Sequence, residues 1–394
     1  ERGFPSIKEE DWRFTSLVPF LDVDYGFTPS EISDSQLAEA ISGHIPPSLD
    51  VYLVVLVNGS IHHGLSRLPP AEMVAIRPLK DIAQTDFFKE HLSYFDHTGG
   101  TTMNALNAAL FTDGFYFEIK KGAEVDKPIE IVHVYSSERN VFLQPRHLLI
   151  VENHARAEII ETSIVLKNNG NTLFVNSVLE LLIKENARLT HYHLQSNDPS
   201  ERWLHYIHAT QQRSSRYDNF TFTLPGADLV RNNLEVRLNG TATETHLYGL
   251  YLVGEHQLID NHTSIEHRFP NCQSNEIYKG VLMDNGKAVF NGKVFVDPEA
   301  QQTNAFQQNN NLLLSEKAQI YAKPQLEIFA DDVKCSHGCT IGQFDPDSLF
   351  YLRSRGISEE AARKMLVEAF MFDVTNKIEN PRVQQYVQGL IYDK

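Results

Sequence analysis

From about Gly114 to Gln343 short runs of Val, Ile, Leu, Phe and Tyr alternate with turns, and helical periodicity all but vanishes. Phe115–Ile119, Ile129–Val134, His147–Val151 and Leu179–Ile183 are strand-length runs of this kind. A loose motif recurs among them, in which a strand ends, an Asn or Gly marks a turn, a small or charged residue follows and a new strand begins. Val151–Ile159 and Ile183–Thr190 carry it with Ala155 and Ala187 at 32 residues' separation, and Leu252–Leu258, Met283–Val289 and Leu314–Ile320 read as later copies. Strands that repeat at a steady spacing with few helices stack into a solenoid, because each rung can bury its apolar side chains only against its neighbours. The pattern favours a parallel β-helix. A sandwich or double-stranded barrel made from the same strands stays open on pattern alone.

The flanks have a different texture. Residues 1–112 read as an N-terminal α/β lobe, with a short helix at Ser35–Ile41, a buried strand at Val51–Val57 closed by the tight turn Asn58-Gly59, and helices at Phe87–Phe95 and Met103–Leu110. The core runs over 113–343, and residues 344–394 form a helical domain. Asp345 suits an N-cap with Pro346 at the first helical position, and Gly356 suits the left-handed residue that closes that helix. Ser358 caps the next, whose apolar stripe is Ala362, Met365, Leu366, Ala369 and Phe370. A last helix opens at Asn380-Pro381 with Val383, Tyr386, Val387, Leu390 and Ile391 on one face. Such stripes are mostly core, though a short tail with wide stripes can also dock a partner.

Composition narrows the function classes. The chain has 394 residues and a net charge of −16, from 35 basic and 51 acidic side chains, so binding to nucleic acid or anionic membrane is disfavoured. Three cysteines (Cys272, Cys335 and Cys339) are too few and too odd for a disulfide framework and suit a reducing compartment. No signal peptide and no membrane-length apolar run is present, which leads us to expect a cytoplasmic protein without membrane insertion. The chain opens at Glu1 rather than methionine, so a preceding segment is expected.

Cys335, His337 and Cys339 alternate, so on a strand all three share one face, and thiolate and imidazole are suitable ligands for iron or zinc. Three alternating ligands rarely close a tetrahedral site and no second cysteine pair completes one, so buried or capping roles stand beside metal binding. Asp331 and Asp332 face opposite ways on a strand and cannot cooperate as a carboxylate pair. The histidine clusters (His62-His63, His191-x-His193 and His205-x-x-His208) read as polar strand-face residues before they read as ligands. Gly286-Lys287 is followed by Ala288 and Gly292-Lys293 by Val294, so neither is a phosphate loop, and no G-x-S-x-G elbow occurs. The chain is not expected to be an enzyme. A β-helix carbohydrate-active enzyme is the alternative reading, weakened by the missing export signal.

The string Asp332, Val333, Cys335, Ser336, His337, Gly338, Thr340, Gly342, followed by Leu349–Ile357, resembles the C-terminal signature of the SufB/SufD family, scaffold subunits of the SUF iron–sulfur cluster assembly machinery. Ser336-His337-Gly338 is most like the SufD branch. Cys339 departs from the small apolar residue common there. Lys8–Thr15, with Trp12, resembles a run found early in these proteins, although anchoring the N-terminal lobe is the plainer role for Trp12 and Phe14. The resemblance implies a right-handed parallel β-helix core and a cytoplasmic complex with a SufB-like subunit and a SufC-like ATPase. A homodimer is expected when the chain is alone. It also implies that Cys335 and His337 lie at a subunit interface, as metal ligands where a transient iron–sulfur cluster forms, with no permanently bound cofactor. The helical domain (Leu349, Tyr351, Met365 and Phe370 among its apolar residues) would dock the ATPase.

Overall fold

The computed structural model describes residues 3–46, 48–83, 85–86, 102–136, 138–166, 170–196 and 198–392. The described helices are α1 (Val18–Leu21), α2 (Asp34–Ser42), α3 (Thr102–Leu110), α4 (Pro346–Ser354), α5 (Glu359–Thr375) and α6 (Pro381–Tyr392). The strands begin with β1 (Tyr52–Val57), β2 (Ser60–Ile61), β3 (Val74–Pro78), β4 (Phe115–Ile119), β5 (Ile129–Tyr135), β6 (Val141–Leu143) and β7 (Arg146–Val151). They continue with β8 (Arg156–Val165), β9 (Leu173–Ile183), β10 (Arg188–Gln195), β11 (Glu201–Gln211), β12 (Arg216–Thr223), β13 (Leu229–Leu238) and β14 (Glu244–Val253). The last are β15 (Leu258–His267), β16 (Gln273–Leu282), β17 (Lys287–Val296), β18 (Thr303–Leu313), β19 (Gln319–Ile328) and β20 (Val333–Gly342). The helix expected at Phe87–Phe95 lies outside the described residues.

From β7 onward successive long strands alternate between two sheets. Sheet I runs β2-β1-β5-β8-β10-β12-β14-β16-β18-β20 and sheet II runs β19-β17-β15-β13-β11-β9-β7-β4-β3. All pairings are parallel except the β1–β2 hairpin and β3–β4. This is a parallel β-solenoid, and the sandwich and barrel alternatives fall away. Its interior is an apolar stack that includes Ile131, Ile159, Leu189, Leu234, Val236, Leu247 and Phe290.

The corners explain the repeat. Where the chain passes from sheet II to sheet I, one residue takes a left-handed conformation: His154, Asn186, Ser214, Ala242, Asn271 and Gln302, with φ between 56° and 65°. Each is followed by a small buried side chain, respectively Ala155, Ala187, Ser215, Thr243, Cys272 and Thr303. The left-handed residue turns its N–H to a carbonyl of the next rung, as His154 does to Glu185 and Asn271 to Gln301, both at 3.0 Å. Only a small group fits under the following corner, which is the place of Cys272. The sequence motif merges two different corners. Val151–Ile159 and Ile183–Thr190 are of this kind, whereas Leu252–Leu258, Met283–Val289 and Leu314–Ile320 turn from sheet I to sheet II. Turn chemistry is similar at both, so the residues alone do not separate them.

The N-terminal elements are continuous with the solenoid. β1 pairs in parallel with β5, Asn58-Gly59 makes the expected hairpin with positive φ at both residues, and β3 joins sheet II through β4. The segment around Trp12 straps the outer face of sheet II. Trp12 is buried with the Arg231 guanidinium 3.9 Å from its ring, Thr15 donates to Asp260 at 2.5 Å, and Phe14 stacks on Tyr321 at 4.1 Å. At the other flank Met371, Val374, Ile378, Val383, Val387 and Ile391 pack on the outer face of sheet I against Tyr192, Phe220 and Leu250. The cap residues hold as expected: Asp345 accepts from the N–H groups of Asp347 and Ser348, Ser358 from that of Ala361, and Gly356 takes φ 84°.

Candidate functional site

β20 ends sheet I. It pairs with β18 on one side, and among the described residues no strand pairs with its other edge, whose N–H and C=O groups make an open sheet edge a template for another chain. Strand alternation then settles which way its side chains face. Cys335, His337 and Cys339 stand in register over Ala305, Gln307 and Asn309, all three buried in the solenoid interior. The trio is therefore inward-facing, yet His337 and Cys339 are exposed and Cys335 is only half-buried, because no further rung among the described residues covers them. Ser336 and Lys334 face the outside.

The geometry limits what one chain can do here. Alternate residues of a strand are about 7 Å apart, too far for three of them to meet at one tetrahedral ion without bending the strand. Among the described residues no three His, Cys, Asp or Glu side chains are placed to hold a metal ion. Burial pushes the Cys335 thiol up, partly offset by its bond with the backbone of Ala305, and burial likewise raises Cys339. Both thiols are thus kept from ionising freely. The Cys339 sulfur lies 3.9 Å from Asn309 Oδ1. Asp331 and Asp332 are exposed, and the Asp332 backbone closes the last corner by accepting from the N–H of Gln302 at 2.6 Å.

α4 follows directly, and none of its residues is buried. Phe350 and Tyr351 are 73% and 56% exposed, and Met365, on the facing part of α5, is 46% exposed. Leu349 is half-buried. Phe370 belongs elsewhere: it packs toward sheet I, with Lys279 Nζ 4.4 Å from its ring, bonded to its carbonyl at 2.9 Å and to Asp373 at 2.5 Å. The stripe expected on α5 thus splits. Ala362 is buried and Met365 and Ala369 are exposed, while the solenoid contact is made further on by Met371 and Val374.

A second polar cluster lies between the sheets and was not legible as a unit in the sequence. Glu161 accepts from the Nε2 atoms of His133 and His191, both at 3.0 Å, while His147, His193 and His205 line the same small cavity. The His193 and His205 rings meet edge-on at 4.5 Å. Burial works against the Glu161 carboxylate, but the two imidazole N–H bonds outweigh it and hold it well below the usual range. Burial lowers His147 to about 3 and His193 to about 4, so both stay neutral at physiological pH. The Phe115 N–H donates to His147 Nδ1 at 3.2 Å, which makes Nε2 the protonated nitrogen and unsuits it as a ligand. This cluster reads as packing.

Residues 133–370 match the family model described as SUF system FeS cluster assembly, SufBD core domain, and residues 1–131 match the SufBD protein N-terminal region. An iron–sulfur cluster assembly SufBD family protein of Synechocystis is 33% identical over 387 residues, 95% of this chain and 84% of that protein. The iron–sulfur cluster assembly protein SufD of Escherichia coli is 29% identical, over 99% of this chain and 89% of its own length. A chloroplastic protein of Arabidopsis thaliana, ABCI7, is 30% identical over 98% of this chain and 83% of its own.

Proposed function

Since the chain belongs to the SufB/SufD family of iron–sulfur cluster assembly proteins, we propose that it acts as a SufD-like scaffold subunit, completing its open end with a SufB-like partner and docking a SufC-like ATPase on its helical tail. The observation that carries this reading is the last rung. Cys335 and His337 face inward along an edge that nothing among the described residues covers, which is how a ligand set shared between two chains has to be built. Iron and sulfide are the cargo, held transiently. Isolated chains pair through the same edge as homodimers.

The exposed Phe350, Tyr351 and Met365 offer the apolar anchors for the ATPase, next to the strand that carries Cys335. Closure of two ATPase subunits would pull on α4 and α5 and so on the rung before them. The chain itself has no catalytic role in this scheme and works in a reducing compartment, the cytoplasm in our reading. No described helix is long and apolar enough to cross a membrane. The test is co-purification with the SufB-like and SufC-like subunits, followed by anaerobic loading with iron and sulfide. His337→Ala should lower cluster yield while leaving the fold intact, and an unchanged yield overturns the role.

A further inference from the structure

Gln307 lies directly beneath His337 on the inward face and carries an acceptor that the fold leaves open. Glu276, Gln307 and His337 are in-register neighbours on β16, β18 and β20. Gln307 Nε2 donates to Glu276 Oε2 at 2.7 Å, and the other oxygen of Glu276 accepts from the Thr263 hydroxyl at 2.5 Å. The amide is thus gripped from below. Room for it is made across the interior by Gly292, where a Cβ would stand 2.4 Å from Gln307 Nε2. Its carbonyl oxygen, Oε1, is buried and has no hydrogen-bond partner among the described residues.

The neighbours on the same ladder differ. Ala305 beneath Cys335 has no polar atom in its side chain. Asn309 beneath Cys339 accepts from Asn311 at 2.7 Å and donates to the Tyr251 hydroxyl at 3.0 Å, and Asn311 accepts from that hydroxyl at 2.5 Å. Thr303, beneath Val333, donates its hydroxyl to the Ala300 carbonyl at 2.8 Å, so of the five side chains supporting this face of the last strand only Gln307, the one beneath His337, keeps a buried polar atom without a partner among the described residues. Neighbouring strands are about 4.8 Å apart, within reach of a glutamine amide and an imidazole. A buried carbonyl without a partner is costly, so it is an unusual thing to keep unless something uses it.

We propose that Gln307 is the positioning residue for His337. When the last rung is covered, Gln307 Oε1 accepts the N–H of one ring nitrogen, which fixes the tautomer and turns the lone pair of the other nitrogen toward iron. Glu276 and Gly292 hold the amide in the orientation this requires. The inference rests on the seam reading given above, and it extends the site one rung into the solenoid.

The test uses the chain assembled with its SufB-like and SufC-like subunits and loaded anaerobically with iron and sulfide. Gln307→Met keeps about the same volume but removes the whole amide, both its acceptor and its bond to Glu276, and loss of such a support for a ligating histidine should weaken cluster retention roughly 10–100-fold. Gly292→Ala, which touches neither the seam nor the metal, should shift retention in the same direction by displacing the amide. With this chain alone labelled with ¹⁵N-histidine, the hyperfine coupling of the reduced cluster to nitrogen should fall in both variants. Thermal unfolding of each isolated variant identifies any that misfolds. Loss of retention in His337→Ala but not in Gln307→Met, with the nitrogen coupling unchanged, overturns the positioning role alone. No effect of either substitution overturns the seam reading with it.

Discussion

Replacing Glu276 by Gln isolates one buried carboxyl whose ionisation the fold resists. Glu276 lies fully inside the solenoid, and burial raises it to about 7 against the hydrogen bonds from Thr263 and Gln307 that favour the anion. A carboxyl raised in the folded state binds more protons folded than unfolded. Its contribution is therefore fully present below the unfolded value near 4.5 and is lost as pH rises toward and through 7. The rise from 4.5 to about 7 corresponds to about 3 kcal/mol, and roughly three-quarters of that is lost between pH 5 and 8. The other buried groups titrate over the same range, with Glu130 raised to about 7 and His193 lowered to about 4, so the pH profile of the parent alone is uninformative. The difference between parent and variant cancels those groups. Urea unfolding at pH 5 and pH 8 should show the parent losing roughly 2–3 kcal/mol more than Glu276→Gln over that interval. Parallel profiles, within about 0.5 kcal/mol, would refute the reasoning, because such a carboxyl would have to ionise without cost.

Three further outcomes are expected. Trp12→Ala should destabilise the chain by about 3–5 kcal/mol in urea unfolding, since it removes a buried indole and uncovers the Arg231–Asp260 pair beneath it. Gly249→Ala should cost about 1–3 kcal/mol in the same assay, because its Cβ would stand 2.1 Å from the Tyr278 ring. Iodoacetamide with mass mapping should label Cys339 first and Cys335 more slowly in the native isolated chain, and Cys272 only after unfolding. Both reactive thiols should speed up as pH rises toward their raised ionisation range.

The solenoid was legible because its corners impose a local rule: one left-handed residue, then a small one. Asn186-Ala187 and His154-Ala155 satisfy that rule with few alternatives, so the motif survives in the residues. Ala242 and Gln302 occupy the same conformation without its usual residue types, and spacing varies from 28 to 32, so the later rungs are hidden. The helix caps at Asp345 and Ser358 were legible for the same reason, being local hydrogen-bond chemistry. What could not be read was register. Glu161 meets His133 and His191 only because β5, β8 and β10 align as they do, and a shift of one residue would turn all three outward. Likewise the alternation of Cys335, His337 and Cys339 shows that they share a face. That this face looks into the open end of the solenoid depends on Ala305, Gln307 and Asn309 lying beneath them. Phe370 fits the amphipathic stripe, but the helix leans onto sheet I only from its second half onward, which periodicity does not specify.

The central claim is that β20 is a rung awaiting its cover from a second subunit. Hydrogen–deuterium exchange of Val333–Gly342, measured for the chain alone at low concentration and again with the SufB-like subunit added, tests it most directly. The account predicts fast exchange at the free edge and strong protection of the strand around Cys335 and His337 in the complex. Exchange that stays fast there while protection arises on another face would contradict it.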